Sequence, residues 1–306
     1  MDVNKPYFTV FTPTYNRADR LHRVYNSLKK QTFKDFEWLI IDDGSTDNTK
    51  EIIEKFFSEK IVNIRYFKQE NGHKKIAFNN GVKKALGYFF IPADSDDTFD
   101  YNTLEIFKET YEKQDEELKT ILCGGTCLCK DEQGNVIGNH YPYDDWAASV
   151  QEMRYKFRVV GEKWGCVKTS ILRDYPFPEI MGHVPENVVW SPIAKKYKSL
   201  FINKPLRTYF TNESDSITHT KFEKENAHGA YLLAKTTIEH ELNYFFYSPI
   251  IFIKSAANYT RFKLNISKST SKNSSLRLEK NKFLGKLLIT ICSPIGFLLY
   301  LRDSKK

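Results

Sequence analysis

The sequence predicts an α/β protein: a Rossmann-like, mostly parallel sheet with helices on both faces, followed by a helical C-terminal extension. Three observations lead there. Over the first hundred residues, short runs rich in β-branched and aromatic residues alternate with amphipathic stretches of helical length, the pattern of βαβ units. Each apolar run breaks off in a polar, chemically varied cluster, as strands do where an open sheet binds its ligand. The charge is also partitioned. Lys254 to Lys306 holds twelve basic and two acidic residues, so this tail carries +10 of a formal +8 and the preceding body carries −2.

The elements follow in order. Tyr7 to Thr12 is a buried strand stopped by Pro13, and Ala18 to Lys30 places Leu21, Val24, Tyr25 and Leu28 on one helical face behind Asn16 or Arg17. Phe36 to Ile41 is the second strand, closed by Asp42-Asp43-Gly44-Ser45. Ser45 and Asp47 are natural caps for a helix over 46–57 that buries Ile52, Ile53, Phe56 and Phe57. A third strand, Ile61 to Phe67, leads through Glu70-Asn71-Gly72-His73 to a helix from about Lys74 to Leu86. The fourth strand, in the stretch Gly87 to Asp97, ends with Asp94, Asp96 and Asp97 inside four residues. Carboxylates packed this closely repel one another, and a divalent cation holding a phosphate would keep them ionised; a helix cap or solvated turn is the simpler reading of the same string.

Beyond residue 100 the pattern loosens. A helix over 102–111, a hairpin from Thr120 through the Asp131–Gly134 turn to Ile137, an aromatic irregular stretch over 141–164, and an ordered run at 165–172 are expected. A prolyl loop over 175–182, a helix from Glu186 to Tyr197, and short strands at 200–202 and 206–210 complete the body. A polar loop at 212–220, a helix over 223–241, an apolar aromatic stretch around Pro249 and a linker at 267–275 lead to Phe283–Leu301. That last stretch is long enough to cross a bilayer, but Lys286 and Pro294 interrupt it and basic residues flank both ends, so it is expected to lie in the interface. The domain expectation is a catalytic body over 1–212, with halves dividing near residue 100, and a basic helical extension over 213–306.

Composition narrows the function classes. At 41% hydrophobic and 15% aromatic residues the chain is not disordered. Five irregularly spaced cysteines favour neither a disulfide framework nor a zinc site, and the first residues lack a secretory pattern, which points to the cytoplasm. A basic, partly apolar tail on a near-neutral body points to the inner face of an anionic membrane, in peripheral contact, and away from nucleic acid as partner.

Taken together, Thr12-Pro13-Thr14-Tyr15-Asn16-Arg17, Ile40 to Asp47, Asn71-Gly72 with Ala77 and Asn79 to Gly81, and Asp94-Ser95-Asp96-Asp97 resemble the family 2 glycosyltransferases. The resemblance implies the GT-A fold and inverting transfer of a sugar from a nucleotide donor, with UDP the expected carrier. Over Phe177 to Trp190 a looser likeness to members that build bacterial surface polysaccharides implies a saccharide or lipid-linked saccharide acceptor. Thr12, Pro13 and Tyr15 would wall the uracil and Asp43 would accept from its N3–H. Arg17 would pair with the nucleotide or simply start a helix. Lys74 would meet the diphosphate, Asp94 with Ser95 would face the ribose or sugar, and Asp96 would ligate Mn²⁺ or Mg²⁺. Glu186 would be the base, although Asn187 stands where the family often has a second acid. A nucleotidyltransferase and a catalytically inactive scaffold stay open as alternatives; the first lacks the Gly-rich loop expected after its first strand.

Overall fold

A computed structural model describes residues 5–210, 224–267 and 283–304. In chain order the elements are β1 (Phe8–Thr14), α1 (Leu21–Lys29), β2 (Phe36–Asp42), α2 (Thr49–Glu59), β3 (Ile64–Lys68), α3 (His73–Lys84), β4 (Phe89–Pro92) and β5 (Thr98–Phe99). They continue as α4 (Thr103–Glu112), α5 (Glu116–Ile121), β6 (Leu122–Lys130), β7 (Trp146–Ala148), α6 (Val150–Tyr155), β8 (Lys163–Lys168), α7 (Thr169–Asp174), α8 (Asn187–Lys196) and β9 (Lys198–Thr208). The extension holds α9 (Ala227–His240), α10 (Pro249–Ser267) and α11 (Phe283–Asp303). The chain divides into two compact units. The first comprises the described residues within Met1–Ser149, Phe157–Phe177 and Tyr197–Ser214; the second, those within Val150–Lys156, Pro178–Lys196 and Asp215–Lys306.

The first unit is built on one nine-stranded sheet in the order β3-β2-β1-β4-β8-β6-β9-β5, with β7 also paired to β9. The four N-terminal strands are parallel to one another, as the βαβ pattern requires. Beyond β4 the sheet turns mixed, because β8 runs antiparallel to both β4 and β6. The parallel strands read as continuous apolar runs because helices cover both faces: Phe8, Val10, Trp38, Ile40, Phe89 and Ile91 are almost wholly buried. Helix α1 buries Leu21, Val24, Tyr25 and Leu28, and Tyr25 stacks on Phe56 of α2 with ring centroids 4.0 Å apart. Gly87 lets the turn into β4 press against β1. Its N–H donates to Thr9 Oγ1 at 2.8 Å, and a Cβ there would lie 2.3 Å from the Thr9 backbone nitrogen.

In the second unit, Tyr231 and Ala234 of α9 pack with Tyr259 and Phe262 of α10, while Ala256 and Ala257 of α10 pack with Cys292 of α11. Gly296 brings α11 close to α10, since a Cβ there would lie 2.4 Å from the Ala257 carbonyl oxygen. Arg261 then holds Asp303 through two bonds of 2.6 Å.

Several elements depart from the sequence reading. Strand β1 runs through Pro13 to Thr14, because its β4 partner has already ended at the pair Phe11–Pro92 and only β2 flanks Pro13. Residues 120–121 end helix α5, capped by Asp115, and the hairpin is a single bridge between Lys130 and Val136. The stretch over 141–164 is not irregular throughout: it contains β7, α6 and the start of β8. The two short C-terminal strands are one strand, β9, whose pairing with β6 shifts register near Pro205. Helix α11 continues through Pro294. The expected loop at 212–220 lies outside the described residues, as does nearly all of the expected linker at 267–275.

Gly87→Ala forces a methyl group against β1 backbone, which cannot rotate away as a side chain can. A loss of about 1–3 kcal/mol is expected from such overpacking, read as a lower urea midpoint with the slope unchanged.

Candidate active site

The loops after β1 and β2 are stitched into one surface. Asn16 takes the left-handed conformation at φ 51°, a region Asn tolerates better than most residues. Its N–H donates to Ser45 Oγ at 2.9 Å, and its Oδ1 accepts from Thr46 N–H at 2.8 Å. Asp47 accepts from Ala18 N–H at 3.1 Å and from Thr49 Oγ1 at 2.6 Å; these bonds outweigh its loss of water and hold its carboxyl below the usual range. The role of Asn16 as a clasp between loops was not legible as such, although its place in Tyr15-Asn16-Arg17 marked it.

The two adjacent aspartates after β2 face different tasks. Asp42 closes the turn, accepting from Ser45 N–H at 2.7 Å and from the Tyr66 hydroxyl at 2.6 Å. Asp43 reaches toward the third loop: its Oδ1 accepts from Gln69 Nε2 at 2.7 Å and from Gly72 N–H at 2.8 Å. Asp43 is thereby fixed to Gly72, the residue just ahead of His73, which opens α3 at φ 68°. Pro13 and the half-exposed Tyr15 stand at the end of β1. Thr12 does not offer its side chain to a ligand there: it is fully buried, and its hydroxyl accepts the Trp38 indole N–H at 2.9 Å.

Around Asp94–Asp97 each carboxylate meets a cation from a different element. Asp94 binds Lys74 Nζ at 2.7 and 2.9 Å. Asp96, 34% exposed, lies 3.8 Å from Arg20 of the α1 approach. Asp97 is held by Arg207 of β9 through Nε at 2.8 Å and a second guanidinium nitrogen at 2.7 Å, and its other oxygen accepts from Asp94 N–H at 2.8 Å. The string is therefore both a closed turn and a charged cluster. Partial loss of water works to raise the half-exposed Asp94 carboxyl, but the Lys74 ammonium beside it, helped by Arg207 and Arg17, holds it below the ordinary range. Asp97 goes the other way: burial, against the pull of Arg207, pushes it up to about 7, and Asp94 adds to the rise. Ser95 is buried between them.

Protein cations already offset the repulsion among these acids. The donor chemistry still fits a hard cation. No group of three metal-ligating side chains forms among the described residues, yet magnesium-like ions commonly take one or two carboxylates and complete their shell with phosphate and water. The partly exposed Asp96, with Asp94 two residues away, meets that requirement.

Glu186 lies in the second unit, at the head of α8. It is exposed, its carbonyl accepts from Val189 and Trp190 N–H, and its carboxylate accepts from the Trp190 indole N–H at 3.3 Å. Asp144, in the first unit, accepts from the Asn203 backbone N–H at 2.8 Å. Asn79 shows a further role. It is buried and clamps Phe177, donating to its carbonyl at 2.9 Å and accepting from its N–H at 2.8 Å, so it fixes the prolyl loop. Arg207, which sequence reasoning missed, is the residue that orders the acidic loop; nothing in its local sequence signals a partner 110 positions away.

A parallel four-strand half with its chemistry at the strand ends, continued by an antiparallel strand and a carboxylate loop, is the arrangement of a GT-A-type glycosyltransferase. The family model for glycosyl transferase family 2 matches residues 9–163. The GalNAc(5)-diNAcBac-PP-undecaprenol β-1,3-glucosyltransferase of Campylobacter jejuni is 30% identical over 78% of this chain and 75% of its own. The chain belongs to glycosyl transferase family 2, and it is a glycosyltransferase. Among solved structures, S. aureus TarS in complex with UDP-GlcNAc aligns with a TM-score of 0.57 at 20% identity, over 96% of this chain and 81% of that one. The mannosyltransferase PcManGT from Pyrobaculum calidifontis, in complex with GDP-Man and Mn²⁺, aligns at 0.53 and 16%, over 98% and 88%. These likenesses establish the GT-A fold.

Two of the ion pairs should respond very differently to mutation. Arg207→Met strands the buried Asp97 and should cost about 3–5 kcal/mol, whereas Arg20→Met, which breaks a partly exposed pair, should stay within about 1 kcal/mol. Chemical denaturation of both variants checks the contrast.

Proposed function

We propose that this enzyme is an inverting, metal-dependent transferase that moves a sugar from UDP to a saccharide or lipid-linked saccharide in bacterial surface polysaccharide synthesis. The observation that carries the reading is the convergence of Asp43, Lys74, Asp94 and Asp96 at the ends of three parallel strands. Pro13 and Tyr15 wall the uracil, and Asp43, already oriented by Gly72 and Gln69, accepts from its N3–H. Arg17 and Lys74 meet the diphosphate, and Asp94 with Ser95 faces the ribose or sugar. Asp96 would hold Mn²⁺ or Mg²⁺, which supplies Lewis-acid stabilisation of the departing diphosphate. The Mn²⁺ in PcManGT and the lipid-linked substrate in the Campylobacter enzyme's name support this reading.

Glu186 is the base. It takes the proton of the acceptor hydroxyl as that oxygen bonds to the anomeric carbon, while the bond from that carbon to the diphosphate breaks and UDP leaves. The Trp190 indole N–H orients the carboxylate. Asp96→Ala should abolish Mn²⁺-dependent UDP binding in calorimetry along with transfer, whereas Glu186→Gln should retain UDP binding and lose at least about 100-fold in turnover, within the range of general base catalysis. Metal-independent UDP affinity in the native enzyme, or full turnover without Asp96, would sink the metal role.

The extension is proposed to lie on the anionic inner face of the cytoplasmic membrane. Helix α11 is the one described helix long and apolar enough to cross a membrane, with a mean hydropathy of 1.8. One side of it, Gly285, Cys292, Gly296 and Tyr300, is buried, with Cys292 and Gly296 against α10, while Leu284, Leu287, Ile291, Ile295 and Leu298 are exposed. A helix committed to a neighbour along one side and apolar on the other suits a surface-lying geometry. The protein should sediment with vesicles containing phosphatidylglycerol and not with pure phosphatidylcholine, and the pair Ile291→Asp and Leu298→Asp should release it. Binding unchanged by that pair would place the contact elsewhere.

A further inference from the structure

Helix α8 carries a proline at its centre, and this changes what holds Glu186. Pro192 has no N–H to offer the Val188 carbonyl, so the first turn of α8 is not tied to the rest of the helix by a full ladder. A residue at the head of such a helix depends on side-chain anchors for its position. The structure provides them at Ser191. The Ser191 carbonyl accepts from Gln151 Nε2 of α6 at 2.9 Å, and its hydroxyl donates to Glu241 Oε1.

Glu241 is an unusual group to find there. It follows α9 and is 2% exposed. Its Oε2 accepts from the Tyr155 hydroxyl, and Arg154 approaches the same oxygen at 4.0 Å as a distant counter-charge. Tyr155 is in turn stacked on Tyr244 and packed against Phe252, so this donor is immobilised. A buried carboxylate costs free energy unless hydrogen bonds and a cation compensate. An apolar residue would fill the space more cheaply, and what the carboxylate adds is directional: two hydrogen bonds that join α6, α8 and the end of α9 at one point. Lys195 makes a parallel tie, donating to the Glu239 carbonyl at 3.0 Å, but it lies on the far side of Pro192 from Glu186.

We infer that Glu241 is a positioning residue for the acceptor-side base: through Ser191 it sets the first turn of α8, and with it Glu186 and Trp190, in the productive orientation. The inference rests on the assignment of Glu186 as base. Glu241 touches no reacting atom; its effect reaches the chemistry through one helical turn. Misplacement of a catalytic group by about 1 Å from a distant change can cost about 100-fold in rate.

The test uses the full chain and the better of UDP-glucose and UDP-N-acetylglucosamine as donor, following UDP release with water as acceptor. Glu241→Ala should lower kcat by about 100-fold while leaving UDP affinity unchanged, and should speed hydrogen exchange at the 188–191 amides. Glu241→Gln, which keeps hydrogen bonding without the charge, should restore most of kcat. Ser191→Ala, with the buried carboxylate still present, should reproduce part of the loss in case Glu241→Ala folds poorly. In a Glu186→Gln background Glu241→Ala should cost nothing further, because both changes act on the same step. Wild-type kcat in Glu241→Ala and Ser191→Ala, with Glu186→Gln inactive, overturns the positioning role alone. Wild-type turnover in Glu186→Gln overturns the base assignment and this role together. Losses that simply multiply in the double variant also refute it.

Discussion

The bond between Arg207 and Asp97 is the constraint on which the geometry of the acidic loop depends. Arg207 stands on β9 and Asp97 ends the turn after β4, and both are buried, at 7% and 5% side-chain exposure. Because the guanidinium engages Asp97 through two nitrogens, the loop is fixed in direction as well as in distance. The second Asp97 oxygen holds the Asp94 backbone, which in turn sets where the Asp94 and Asp96 side chains begin. Glu162 shares Arg207 at 3.3 Å, so the cation is not neutralised by one partner alone. A buried ion pair of this kind is weak evidence of net stability, but it is strong evidence of a specified arrangement once it is fully hydrogen-bonded.

What the sequence made legible follows from locality. The four parallel strands were readable because each is a continuous apolar run with a polar stop, and that pattern survives without knowledge of any partner. The strand-end loops were readable because the topology rule collects them on one edge. Arg207 was not, since its meaning comes from β9 lying beside β5, a pairing created by the mixed half of the sheet. The same holds for Thr12. Its place in the Thr12–Arg17 motif suggests a ligand contact, whereas alternation along β1 turns its hydroxyl inward to an indole nitrogen that would otherwise be buried without a partner.

Proline acts at two places in ways that the sequence shows only in part. Pro13 read as a strand stop because a proline cannot donate to a ladder, but at that level no β4 residue remains to accept from it, so β1 continues. Pro192 sits inside an amphipathic pattern that predicts an unbroken helix over 186–197. The pattern is right about burial, as Val189 and Ile193 show, and silent about the missing backbone bond. Helix α8 therefore needs ties from α6 and from the residues after α9, elements that the sequence leaves far apart.

The ion pairs around the acidic loop differ in what they cost to break, and that difference has consequences for the reading proposed above. Lys74 and Asp94 are 54% and 41% exposed, so water competes for both and their attraction is screened. Exchanging Asp94 for a diphosphate would cost Lys74 about 1 kcal/mol or less, well below what a charge-assisted contact to phosphate returns. Arg207 has no such freedom, since leaving Asp97 would strand a buried carboxylate. On that reading the loop combines a fixed pair that sets geometry with a loose pair that can change partners. Under the proposed function, Lys74 would serve as a counter-ion for Asp94 before the nucleotide sugar binds and as a phosphate ligand afterwards, leaving the Asp94 carboxylate to face the ribose or sugar.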